Sequence, residues 1–187
     1  MGQWLEVLYD VLFHPKSAMA HISGGQLIGQ SLIVFFLSVV LPGLAVLPAL
    51  ADSPLAIGGV VFYITASLVL WVTGTAILHF IAELYGGRGT VTGLFAAFGF
   101  SQLPRLLMAP LWLVTALFSD SVQALVTGTG TVVVILWILL LHMKALEAGY
   151  GFSPGKAILV LATPFLACSA LALMTAVFVA GRLLPWS

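Results

Sequence analysis

Residues 83–104, ELYGGRGTVTGLFAAFGFSQLP, contain the longest polar interruption between the apolar runs of the chain. Three glycines, Gly86, Gly87 and Gly89, stand near the start of this segment, and Pro104 ends it. Glycines at such a position are typical of a turn that ends one helix and begins another, with Thr90 as the predicted cap of the second helix. The segment therefore predicts a turn between two helices, followed by a helix that breaks near Pro104.

The composition of the whole chain indicates the class of protein. Of its 187 residues 61% are hydrophobic and 6% are charged, with a mean hydropathy of +1.20, which leaves too few polar side chains to cover a soluble globule. The apolar runs are continuous and do not alternate, which favours helices over a closed barrel. We expect an all-α integral membrane protein with five transmembrane helices, preceded by a short amphipathic N-terminal helix.

The apolar runs place the boundaries of this architecture. An N-terminal region of residues 1–26 precedes a transmembrane domain of residues 27–187, with spans at about residues 27–50, 56–82, 91–118, 122–143 and 156–180. In the third span, a helix that began only at Leu106 would be ~20 Å long at 1.5 Å per residue, too short to cross. That span must therefore include residues 94–103 and the break near Pro104. In the first span, Pro42 predicts a kink.

The N-terminal region opens with an amphipathic pattern. One predicted helix face carries the apolar residues Trp4, Leu5, Leu8, Val11 and Leu12, and the other carries Gln3, Glu6 and Asp10. Such a helix lies in the membrane interface or docks on the helix bundle, and the pattern favours neither. A second short helix is expected to begin at Pro15.

The charges between the spans predict an orientation. Four basic residues fall on the side of the amino terminus: Lys16, Arg88, Lys144 and Lys156. The opposite side carries Asp52, Asp120 and the single basic residue Arg182. By the positive-inside rule the amino terminus is cytoplasmic and the carboxyl terminus is outside. No basic run is present, so nucleic acid is not an expected partner.

Arg105 is the sharpest candidate for a functional residue, because a central arginine in a span costs roughly 2.5–3.5 kcal/mol. Freed carbonyls near Ser101, the side chain of Gln102, or the carboxylate of Glu83 could compensate this cost. Two interpretations remain open: Arg105 caps the broken helix, or it contacts an ion or substrate.

A second polar group is expected at the cytoplasmic rim, formed by His79, Glu83, His142 and Glu147. These residue types could bind a transition metal or relay protons. However, His142 and Glu147 are five residues apart and do not share a face if their helix continues. We therefore favour interfacial hydrogen bonds with Lys144 and Arg88 as counter-charges, and expect no metal.

The fifth span contains a line of small residues, four apart: Cys168, Ala172, Ala176 and Ala180. Small residues at this spacing let another helix approach closely, either within the chain or from a second copy. The glycine-rich turn lacks the phosphate-binding pattern of nucleotide-binding loops, and no nucleophile motif is present. Neither an enzyme nor a cofactor is expected.

Three segments resemble Yip-domain proteins of the prokaryotic branch: LYDVLFHPKSAMAHIS (residues 8–23), GGRGTVTGLFAAFGFSQLP (86–104) and HMKALEAGYGFSPGKAILV (142–160). The resemblance implies a multi-pass membrane protein. Similar eukaryotic proteins bind prenylated Rab GTPases, and interest there centres on a longer cytoplasmic amino-terminal region. That region is nearly absent here, so GTPase binding is not expected.

Two functional hypotheses follow. The first is a non-enzymatic scaffold in the cytoplasmic membrane of a prokaryote, with the lipid bilayer, other membrane proteins or a second copy as partners. It predicts a dry bundle whose polar groups satisfy one another. The second is a small transporter or channel that uses Arg105, Gln102 and the rim histidines. It predicts a water path that reaches Arg105.

Overall fold

The computed structural model describes residues 2–24, 27–47 and 55–183. In these ranges every regular element is helical, which confirms the expected all-α class. The elements in chain order are α1 (Gly2–Phe13), α2 (Pro15–Ile22), α3 (Ile28–Val46), α4 (Ala56–Leu84), α5 (Val91–Phe100), a 3-10 helix (Leu103–Leu107), α6 (Met108–Thr115), α7 (Asp120–Tyr150) and α8 (Pro154–Leu183). The predicted connector around Asp52 lies outside the described residues.

Five stretches of the described residues are long and apolar enough to cross a membrane, as predicted. They are Ile28–Ala45, Ile57–Leu84, Val91–Thr115, Asp120–Tyr150 and Pro154–Ala180. The helix of the fourth span, α7, continues to Tyr150, seven residues beyond the predicted end of that span, because the polar residues Lys144 and Glu147 remain helical and pair with each other. α3 runs through Pro42 as a helix, and the predicted kink there stays a prediction.

The third span is broken at the predicted place. α5 ends at Phe100, the 3-10 helix follows, and α6 completes the crossing. Pro104 has no N–H and cannot continue the hydrogen-bond ladder of α5. The Ser101 hydroxyl donates to the carbonyl of Ala97 at 2.8 Å, and the N–H of Arg105 donates to the carbonyl of Gln102 at 2.9 Å. The second of these bonds closes the tighter 3-10 turn that redirects the chain.

α5 is the centre of the bundle. All of its side chains from Gly93 to Phe100 are buried except the half-buried Phe95. A helix that is apolar on every side is stable only when neighbours cover every side. Here α3, α4 and α7 pack around it, and α2 contacts its amino-terminal end. Residues 93–100, just after the polar interruption, are therefore the part of the chain that the other helices enclose.

The glycine-rich turn fits against the end of α7. The Thr90 hydroxyl caps α5 by accepting a hydrogen bond from the N–H of Gly93 at 3.1 Å, which confirms the predicted cap. Gly86 has a φ of +77°, a conformation that favours glycine. A methyl group on Gly87 or on Gly89 would lie within 2.8 Å of the ring of Tyr150. The missing side chains thus allow the turn to contact α7 closely.

α1 and α2 dock on the bundle and share its core. Val11, Met19 and Ile22 are fully buried and belong to the same apolar cluster as α5. Leu5, which was predicted on the same apolar face as Trp4 and Leu8, is 67% exposed and does not share this core. Leu5, Tyr9 and Phe13 are spaced four residues apart and are all exposed, so α1 carries a second apolar strip on its outer side.

Candidate functional site

The helix break places Arg105 in the wall between two cavities. The smaller cavity, about 190 Å³, lies between α3, α4, α5 and α7, and Arg105 is among its lining residues. The larger cavity, about 560 Å³, lies between the end of α3, the start of α4, α6 and α7, and Arg105 lines it as well. α5 has 10 residues and is about 15 Å long at 1.5 Å per residue, and Arg105 lies beyond its end, in the 3-10 helix. Its charge is therefore deep inside the span.

The smaller cavity contains nitrogen atoms with no partner. Trp71 Nε1 and His142 Nε2 line it, are buried, and make no hydrogen bond within the described part of the chain. The Gln102 amide also lines the cavity and has no hydrogen bond to another described side chain or backbone group, although the residue is only 8% exposed. Buried polar groups normally find partners, so this cluster needs an explanation.

Aromatic packing holds two of these groups in place. The Trp71 indole stacks on Phe35 with ring centroids 4.4 Å apart and meets the edge of Phe95 at 5.5 Å. The His142 imidazole stacks on Phe98 at 4.0 Å. Because Phe35, Phe98 and Trp71 are all buried, the two rings cannot easily turn toward other partners. Their nitrogens are thus presented to the cavity by the core itself.

Arg105 has no counter-charge in the described structure. No hydrogen bond or ion pair joins its guanidinium to any of residues 2–24, 27–47 or 55–183, so the predicted cap on the broken helix is not among their contacts. Neither cavity has an acidic residue in its described lining. Glu83, a predicted partner, lies 3.4 Å from His79 at the rim and is exposed. The smaller cavity is consequently electropositive.

The larger cavity is mainly apolar. Its wall includes Val60, Met108, Val134 and Ile138, and Arg105 is the charged residue of its described lining. The two cavities meet at Arg105, so the smaller cavity forms the polar end of the pair and the larger cavity forms the apolar end.

The predicted rim cluster separates into two groups. His79 Nδ1 and the Tyr150 hydroxyl are hydrogen-bonded at 2.5 Å, with Glu83 beside the other ring nitrogen of His79. Glu147 instead accepts from Lys144 at 2.8 and 3.0 Å. His142 joins neither group. It stands five positions before Glu147 on the continuous helix α7, so it points in a different direction and lines the smaller cavity together with Arg105. The described residues hold no group of three His, Cys, Asp or Glu side chains able to bind a metal ion.

Sequence reasoning missed Trp71 and Tyr150. The signal for Trp71 was an indole N–H inside an apolar span, since such a group usually requires a partner when buried. The signal for Tyr150 was weaker. This residue stands directly before Gly151, and a glycine at such a position often ends a helix, as Gly151 ends α7 here with a φ of +68°.

The line of small residues on α8 faces outward. Cys168, Ala172, Ala176 and Ala180 are all exposed, so this line does not pack on another described helix of the same chain. The exposure leaves the lipid or another protein as its neighbour.

The model of the Yip1 domain family matches residues 9–177, which is nearly the whole chain. No curated protein and no solved structure matches this chain. The matched region includes α5, the helix break and every lining residue of the two cavities.

Proposed function

The chain belongs to the Yip1 domain family and is an integral membrane protein, and on this basis we propose that it is a non-enzymatic scaffold that assembles through α8. The partner that we propose is a second copy of the chain, with other membrane proteins as further members of the assembly. Its apolar surface contacts the lipid bilayer.

One observation carries the proposal. The side chains of residues 165–180 are exposed on every side of α8, whereas α5 is enclosed and the first part of α8 packs on the bundle. Lipid alone can surround such a helix, but the line from Cys168 to Ala180 offers a surface where a second helix gains close van der Waals contact. The same surface on two copies is self-complementary, as a two-fold dimer requires.

The lone cysteine provides the test. Oxidative crosslinking in native membranes should join two chains through Cys168, because a disulfide needs Cα atoms about 4.4–6.8 Å apart. The matched control moves the thiol to another side of the helix, as Leu166→Cys in a Cys168→Ser background. A crosslink at 168 but not at 166 supports the interface, and equal crosslinking at both positions indicates random collision and contradicts it.

A bulky substitution tests the close approach. Ala172→Leu should abolish the Cys168 crosslink, whereas Ala170→Leu, two positions away and also exposed, should leave it intact. An unchanged crosslink in Ala172→Leu would show that the small residues do not form the contact.

The location proposed with this function is the cytoplasmic membrane of a prokaryote, with the amino terminus in the cytoplasm. The packing of α2 supports a common end for the basic residues, because Ser23, directly after α2, lies against Gly93 near the start of α5 and Gly149 near the end of α7. Lys16 and Lys144 are therefore at the same end of the bundle as Arg88. Labelling of Lys16→Cys by an impermeant thiol reagent only from the cytoplasmic side would support this orientation, and labelling only from outside would reverse it.

Transport is a second candidate, favoured by the two cavities that meet at Arg105. The unpartnered nitrogens of Trp71 and His142 also depart from the dry, fully satisfied bundle that a scaffold predicts. The test places single cysteines at Gln102, Arg105 and Met108 in Cys168→Ser. Labelling of position 105 by an impermeant reagent supports a water path. Protection at all three, with Asp120→Cys still reactive, contradicts transport.

A further inference from the structure

We propose that the two cavities together bind one acidic amphiphile, with its carboxylate or phosphate group in the smaller cavity and its apolar chain in the larger one. This site is separate from the α8 surface and does not depend on assembly of the chain.

The unpartnered nitrogens define the chemistry of the polar end. Trp71 Nε1 and the Arg105 guanidinium can only donate, Gln102 offers an amide NH₂, and His142 Nε2 donates in one of the two neutral tautomers. A group that meets all of them must be an acceptor with several oxygens. Carboxylates and phosphates have this property and form charge-assisted hydrogen bonds with arginine, often through two parallel bonds.

The unpaired charge of Arg105 favours an acidic ligand over ordered water as the occupant of the smaller cavity. Water molecules could satisfy the hydrogen bonds of Trp71, Gln102 and His142, since a site with several polar groups readily holds water. Water does not neutralise Arg105, however, and no described lining residue of either cavity is acidic. A cation inside a span is costly unless it is paired. An anionic ligand group supplies the missing counter-charge.

The volumes fit the two parts of an amphiphile. A cavity of about 190 Å³ has room for a carboxylate or phosphate group. The apolar cavity of about 560 Å³ falls within the range of roughly 300–1,000 Å³ that is usual for small-molecule sites. Because Arg105 lines both cavities, the junction between head group and chain falls at the guanidinium.

The larger cavity also has an exposed border. Tyr63 and Ile135 line it and are 37% and 50% exposed, on helices α4 and α7 whose outer surfaces face the hydrocarbon of the membrane. An amphiphile could therefore enter sideways from the bilayer while its chain remained in an apolar medium. A soluble anion would lack this advantage.

The first experiment measures displacement of a pyrene-labelled fatty acid from the purified full-length protein in detergent micelles. Oleate and lysophosphatidate carry both an apolar chain and a negative charge, and both should displace the probe. The tighter competitor of the two shows whether the site prefers a carboxylate or a phosphate. Oleyl alcohol should bind about ten- to hundredfold more weakly, because it lacks the charge-assisted bonds. Equal competition by oleyl alcohol, or displacement by inorganic phosphate alone, would overturn the proposal.

Variants locate the site. Arg105→Gln should weaken oleate binding about ten- to hundredfold, whereas Arg182→Gln, the same change at an exposed position on α8, should leave it unaltered. Val134→Trp should fill the apolar cavity and exclude the chain. Unchanged oleate affinity in both Arg105→Gln and Val134→Trp would refute the site.

A milder variant keeps the test valid if Arg105→Gln or Val134→Trp disturbs folding. Trp71→Phe retains the aromatic stack on Phe35 but removes the indole N–H, and should weaken oleate by several-fold without changing the elution of the protein on size exclusion. An unaltered affinity for oleate would show that the head group does not reach this cavity. Crosslinking at Cys168 in the same variants should be normal, which distinguishes failure of this site from failure of the scaffold proposal.

Discussion

Gly99 of α5 lies directly against Ser31 of α3. A methyl group on Gly99 would collide with the Ser31 hydroxyl and come within 3.0 Å of the Ser31 carbonyl oxygen. The same hydroxyl donates to the carbonyl of Phe95, one turn earlier in α5, at 3.3 Å. The two helices therefore approach almost backbone to backbone, as small residues permit in membrane proteins.

Gly99→Ala should lower the free energy of unfolding by about 1–3 kcal/mol, because the added methyl forces α3 and α5 apart in a packed interior. SDS titration in mixed micelles measures this change. Gly128→Ala is the matched control, since nothing lies within 4 Å of the added carbon, and it should be neutral or slightly stabilising. Ser31→Ala should restore part of the loss in the double variant. Equal effects of the two glycine variants would contradict this account.

Gly87→Ala should detach the glycine-rich turn from the end of α7. The added carbon would lie 2.6 Å from the Tyr150 ring, 2.7 Å from Phe152 and 2.9 Å from the carbonyl of Ala82. We expect a loss of about 1–3 kcal/mol from this overpacking. Limited proteolysis of the turn and thermal unfolding provide the readouts. Gly155→Ala, with no atom within 4 Å, should leave both unchanged, and equal cleavage of the two variants would argue against the contact.

Tyr150→Phe should remove the hydrogen bond to His79 while keeping the ring between Gly87, Gly89 and Phe152. The expected cost is about 0.5–1.5 kcal/mol, the usual net value of one hydrogen bond. Tyr9→Phe is the control, because Tyr9 is 55% exposed on the outer side of α1. Thermal unfolding in detergent compares the two, and a larger loss in Tyr9→Phe would show that the His79 contact does not stabilise the fold.

Lys144→Met should leave the Glu147 carboxylate without its partner, although that side chain is only 10% exposed. An unpaired charge in this position should cost about 1–3 kcal/mol. The double variant Lys144→Met with Glu147→Gln should recover part of the loss, since it removes the uncompensated charge. Lys16→Met, at an exposed position, serves as the control. A double variant that is less stable than Lys144→Met alone would exclude this explanation.

Much of the architecture was predictable from local properties. The break at Pro104 followed from the missing N–H of proline together with the length needed to cross a bilayer, and the cap at Thr90 followed from its hydroxyl before an apolar run. The family resemblance was likewise carried by three short segments and is confirmed over residues 9–177. These features depend on residues that are neighbours in the chain.

The candidate site was only half predictable. Arg105 and Gln102 were identified as costly polar groups in a span, but the sequence grouped His142 with His79 at the rim. The rotation of α7 instead places His142 in the cavity of Arg105, together with Trp71 from α4. No spacing rule connects Trp71, Arg105 and His142, because they belong to three different helices.

The sequence by itself determined that this protein lies in a membrane, how many spans it has and where the third span breaks, because hydropathy, helix length and proline chemistry act locally. Only the tertiary structure decided which faces meet. A helix that is apolar on all sides gives no periodic signal for its buried face, so shape decides the packing: Gly99 fits Ser31, and Gly87 fits Tyr150. Those contacts set the rotation of the packed helices, and with it the position of Arg105 between two cavities.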